Sequence, residues 1–211
     1  MIRRRQNMRL QIGIGALFIV AASTGACLAA DPRYPDWPCT QAKVPEISLA
    51  AVWAGAPLDD IKDKWRDDAK VSALVAKLAA RRTSLDDAQK LITEFLAGPA
   101  TDKATTGKLL FTGLFDSLNA QRASVMNGLE RITRKQREAA DNIRSDVSAL
   151  HALQGASQPD QAKIDELSNQ MLWQTRIFED RQRVVKFVCE VPTAIDQRLF
   201  ALGRMIQQEI E

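Results

Sequence analysis

Apolar residues recur every three or four positions through the second half of this chain. The run Phe111, Phe115, Leu118, Arg122, Val125, Leu129, Ile132, Gln136, Ala139, Ile143, Val147, Leu150 keeps that spacing with one four-residue slip near its end. After Gly155, Ser157 and Pro159 it resumes as Ile164, Leu167, Met171, Gln174, Phe178, Arg181, Val185 and Val188, then as Ile195, Leu199, Leu202 and Ile206. A spacing near 3.5 sustained over several heptads predicts helices that wind around a neighbour. The short turn between the two long runs predicts that they lie antiparallel. A helix over residues 105–153 would measure about 70 Å, longer than a compact bundle of this chain is wide. The pattern therefore predicts either a rod-like hairpin on a helical base, the preferred expectation, or a bend at Gly113 or Gly128. A break is expected near Pro192, with Thr193 and Asp196 in capping-box spacing for the restart.

The first half predicts shorter helices. Ser48 caps one that runs through Trp53 and is ended by Gly55 and Pro57. Residues 59–82 carry Ile61, Trp65, Val71, Leu74, Val75 and Leu78 at helical spacing, and Ser84 with Asp87 opens a further helix that stops at Gly98-Pro99. Before them, residues 31–47 hold Pro32, Pro35, Pro38 and Pro45 with Tyr34 and Trp37 between. Proline lacks a backbone donor and disfavours helix before it, so this stretch reads as an extended arm. The expectation is an all-α fold: a single helical domain over 48–211, with short base helices over 48–100, a long antiparallel coiled-coil-like hairpin over 102–211, and the arm in front.

Residues 1–30 read differently. Arg3, Arg4, Arg5 and Arg9 precede an uncharged apolar stretch, and small residues close it at Ala26-Cys27-Leu28-Ala29-Ala30. A basic start, a short apolar core and a small-residue exit are what a cleaved secretory signal requires, so a periplasmic or secreted protein is expected. An uncleaved anchor, a lipoprotein site at Cys27 and twin-arginine export fit less well.

Removing that segment changes the charge. The chain has 29 Lys+Arg and 26 Asp+Glu, and four of the arginines lie in the first thirty residues, which leaves 25 against 26. A near-neutral mature chain gives no reason to expect nucleic acid as a partner. It also keeps two cysteines, Cys39 and Cys189, and an even pair in an exported chain predicts a disulfide that staples the arm to the body.

Candidate chemistry is sparse. His151 is the one histidine, so neither a Ser-His-Asp nor a Cys-His arrangement can be built, and the Glu-x-x-His pairs of di-iron bundles are missing. Thr105-Thr106-Gly107-Lys108 lacks the first glycine, the following Ser or Thr and the preceding strand of a phosphate loop. The pairs Asp59-Asp60, Asp67-Asp68 and Asp86-Asp87 read as helix-end acids. No catalytic residue, cofactor or metal site is expected.

What stands out instead is polar. Arg122, Gln136, Gln174 and Arg181 occupy seam positions where apolar residues belong, and Arg131, Arg134 and Lys135 share a face by spacing. These seven form the candidate interaction surface. The expected function is a non-catalytic envelope protein whose hairpin engages another envelope protein or a second copy, with membrane contact through the basic run a weaker option. The alternative is an apolar or lipid ligand held by Phe111, Leu114, Phe115 and Leu118 between base and hairpin.

Overall fold

The structure, a computed structural model, describes residues 31–98 and 102–211. The expected signal segment and Pro99 lie outside the described residues. Among those described, the chain is all-α with no strand: α1 (Leu49–Val52), α2 (Ala69–Ala79), α3 (Leu85–Leu96), α4 (Lys103–Gln154), α5 (Gln161–Val188) and α6 (Glu190–Ile210), plus one 3-10 turn at Lys64–Arg66.

The helix expected over 59–82 starts ten residues late. Asp63 takes a left-handed φ of 70°, and the Asp68 carboxylate accepts from the Lys70 and Val71 N–H groups, which makes it the N-cap of α2. Residues 59–68 are consequently turns. At the other end of α2 the Arg198 guanidinium donates to the Leu78 carbonyl from Nε and Nη2, at 2.9 and 2.6 Å, and takes up an acceptor that the helix terminus leaves open. The Ser84 hydroxyl accepts from the Asp87 N–H at 3.1 Å, as its spacing predicts.

Helix α4 runs 52 residues without interruption, about 78 Å at the standard rise. Neither glycine breaks it, and each has a different situation. A Cβ on Gly113 would lie 2.6 Å from Val75 Cγ2 and 2.9 Å from Trp65 Cδ2, so this position is where α4 and the α2 region press together. A Cβ on Gly128 would meet nothing nearer than the Arg131 guanidinium at 3.8 Å.

The break between α5 and α6 falls at Cys189, ahead of Pro192. Pro192 sits inside the first turn of α6, where a missing N–H has no helical partner to lose. The Thr193–Asp196 capping box does not form: α6 begins at Glu190 with no side-chain cap. Helix α5 is capped by Asp160, which accepts from the Lys163 N–H.

The core lies at the base, where the first third of α4 is flanked by α2, α3 and α6. Leu78, Ile92, Leu96, Leu110, Phe111, Leu114, Leu199, Leu202 and Ile206 are all buried there. Phe111 stacks on Trp53 with ring centroids 4.3 Å apart. Beyond Leu129 the picture changes. From Glu130 to Val188 the one buried side chain among the described residues is Ile164, so the outer hairpin is a two-helix seam whose apolar positions are only half covered.

The arm is tied to this hairpin root. Cys39 and Cys189 form a disulfide with Cα atoms 5.6 Å apart. The Trp37 indole donates to the Gln41 carbonyl at 2.7 Å, and Gln41 donates to the Cys189 carbonyl. Lys43 pairs with Glu130 at 2.5 Å.

Candidate functional site

The seven polar seam and basic-run residues do not form one surface. Arg122 is buried. Its Nη1 donates to the Val44 carbonyl of the arm at 2.7 Å, and its Nε lies 2.7 Å from Asp196 Oδ1 on α6. That N–H does not point at the oxygen, so neither atom has an aligned hydrogen bond and the contact is one of charge. Burial pushes the Asp196 carboxyl above its ordinary value, against the pull of the Arg122 charge. Arg122 thus joins arm, α4 and α6 from inside, and the expectation of an accessible interaction residue is corrected.

Gln136 and Gln174 sit within the two-helix seam. The Gln136 amide donates to the Phe178 carbonyl across it at 2.9 Å. The Oε1 atoms of both glutamines are covered without a partner. A seam that holds such groups is weaker than an apolar one and more selective of register.

The basic run divides. Arg134 donates to Asp36 of the arm at 2.8 Å, and Arg137 donates to the same carboxylate. These hydrogen bonds, Arg134 first, hold the Asp36 carboxyl below its ordinary value. Arg131 and Lys135 instead line, with Arg181 of α5, a groove of about 450 Å³. The rest of its lining is Val125, Gly128, Leu129, Ile132, Val184, Val185 and Val188. Every charged side chain on this groove is a cation, and none of the three makes an ion pair among the described residues. Of the seven candidates, the structure brings Arg131, Lys135 and Arg181 together.

One apolar part of the surface lies outside the heptad seam. Leu172, Trp173, Ile177, Val184 and Phe187 stand exposed on α5, Leu172 at 70% and Trp173 at 65%. Trp173, Ile177, Asp180, Val184 and Phe187 follow one another by four, three, four and three residues. This is a second heptad stripe on α5, rotated away from the stripe that faces α4, and no other helix among the described residues covers it.

The cluster expected to line a lipid pocket is packed core: Phe111 and Leu114 are wholly buried and Leu118 nearly so. His151 is exposed in the last turn of α4. Gly107 and Lys108 lie within the second turn of the same helix, not in a loop. Among the described residues no three acidic, His or Cys side chains converge, and no helix is long and apolar enough to cross a membrane. Compared with protein-family models, curated proteins and solved structures, the chain matches none.

Proposed function

We propose that this chain is an exported, non-catalytic helical protein that acts through protein–protein contact in the cell envelope. Its base holds a hairpin that engages another envelope protein or a second copy. The observation that carries this reading is the uncovered apolar stripe on α5 beside a half-covered seam. Contiguous exposed apolar surface of this kind is costly in an isolated chain and marks an interaction face. A two-helix seam also lacks the third or fourth partner that a stable bundle supplies. The disulfide is consistent with an oxidising compartment and so with export to the periplasm.

The test is a photo-reactive residue at Leu172 or Val184 in the native cell, with mass spectrometry of the adducts. A discrete protein adduct is expected. Lipid adducts alone would replace this reading with a lipid-binding bundle, and no adduct at either position would leave the stripe without the role assigned to it.

A further inference from the structure

We infer that the occupant of the α5 stripe is a second copy of this chain, docked antiparallel, hairpin against hairpin. The two-fold axis passes between Trp173 and Ile177. This rests on the interaction reading above and names its partner.

Charge along the hairpin is segregated by distance from the base. Gln136 lies level with Phe178 and Asp146 with Gln170. In the root half, residues 127–137 and 178–188, seven Lys or Arg accompany three Asp or Glu; in the tip half, residues 138–177, six Asp or Glu accompany three Lys or Arg. Internal pairing sharpens the contrast. Asp36 of the arm takes Arg134 and Arg137, while Arg183–Asp180, Arg144–Asp141 and Lys163–Asp160 pair along their own helices. Lys43 of the arm takes Glu130, and the root is then left with Arg131, Lys135, Arg181 and Lys186 against Glu179. The tip is left with Glu138, Asp146, Asp165 and Glu166 against Arg176.

A lone acidic helix or an anionic lipid surface would satisfy the root and repel the tip. A basic partner would do the reverse. The object that carries both charges in the opposite order along the same length is this hairpin turned end for end. Parallel pairing would set like charge on like, which costs several kcal/mol at an interface. Antiparallel pairing is isologous and closes on itself, as a two-fold dimer must.

The apolar pair nearest the charge boundary falls where such a dimer needs it. Trp173 and Ile177, 65% and 47% exposed, lie close to the boundary between the basic and acidic halves. An axis there brings Trp173 of each copy against Ile177 of the other, an aromatic centre with a charged surround. Four helices then enclose the seam that two leave open.

The experiment is sedimentation of the purified, oxidised chain at micromolar concentration. A dimer is expected whose affinity falls as NaCl is raised, because the surrounding charges are screened. Two variants test the order of charges. Lys135→Glu/Arg181→Glu and Asp146→Lys/Glu166→Lys should each weaken the dimer at least about tenfold, with helical content unchanged by circular dichroism. Mixed one to one, they should recover a heterodimer, since each reversed half then meets its reversed complement. Failure of the mixture to recover would overturn the antiparallel arrangement. A wild-type chain that stays monomeric at about 100 μM would overturn the dimer, that concentration being far above a useful affinity. If that monomer still gives a foreign-protein adduct from Leu172 in cells, the interaction reading survives alone. If it floats with anionic vesicles and gives only lipid adducts, both readings fail.

Discussion

Arg122 ties three parts of the fold together, since it contacts the arm, α4 and α6 at once. Truncating one partner of a buried pair leaves the other charge stranded. Arg122→Ala is therefore expected to cost about 3 kcal/mol in urea denaturation, at the low end for such pairs because Asp196 can take up a proton. Asp196 has its own signature. Its folded value lies above its unfolded one, so the folded state binds the proton more tightly and the carboxylate detracts from stability above the folded value. That detraction fades as pH falls through the folded value toward roughly pH 4. Asp196→Asn should consequently gain on the wild type as pH rises from about 4 to 7; a difference that stays flat across this range would mean that burial does not govern the carboxyl. At sequence level Arg122 was visible only as a polar intruder in a heptad. Its partners, Val44 and Asp196, stand 78 and 74 positions away in the sequence, and no local pattern records them.

At the scale of helices, the same residue type has opposite meanings along α4. Gly113→Ala should destabilise by more than about 1 kcal/mol, since the new methyl would displace Val75 or the Trp65 ring. Gly128→Ala should stabilise by up to about 1 kcal/mol, since it gains helix propensity in open space. Thermal melts of the two variants should shift in opposite directions. Spacing alone marked both glycines as weak points of equal standing, because helix propensity is local and the pressure from Val75 is not. Periodicity was a good guide to the hairpin, its turn and the base helices, for which burial of one face decides the structure. It misplaced the α5–α6 break because Pro192 reads as a stop in a sequence, although the first helical turn accommodates it. The second stripe on α5 was present as spacing but shared its helix with a longer apolar run. Only the packed structure separates the stripe that is used from the one that is not.

As a whole, the molecule is built in two grades of order. Below Leu129 α2, α3, α4 and α6 pack around a common buried core; above it two helices share a half-covered seam. Native-state hydrogen exchange should find amides over 133–178 opening well below the global unfolding energy in dilute protein, with the base protected to the end. Higher concentration should close that gap, if a second copy supplies the missing helices. The disulfide acts at this scale too. Closing a loop of 150 residues confers roughly 5 kcal/mol in the chain-entropy model. The double variant Cys39→Ala/Cys189→Ala should lower the denaturation midpoint accordingly, and reduction of the wild type should match it. The Asp36 contacts with Arg134 and Arg137 add a weaker tie. Asp36 binds its proton less tightly folded than unfolded, so this tie is intact above about pH 4 and is lost as pH falls further.

The staple also determines how the molecule carries a load. A pull applied between the arm and the end of α6 passes from Cys39 to Cys189 through the sulfur atoms and never enters the 149 residues between them. Tension at the termini would straighten the first residues of the arm and peel α6 away from the base helices that pack on it, while the covalent backbone of the hairpin bypasses the load. A tug on the hairpin tip follows another route, down α4 and α5 into the base. The arm, the end of α6 and the tip of the hairpin are thus separate handles along the covalent chain, and the loads applied to them meet in the base that α6 completes.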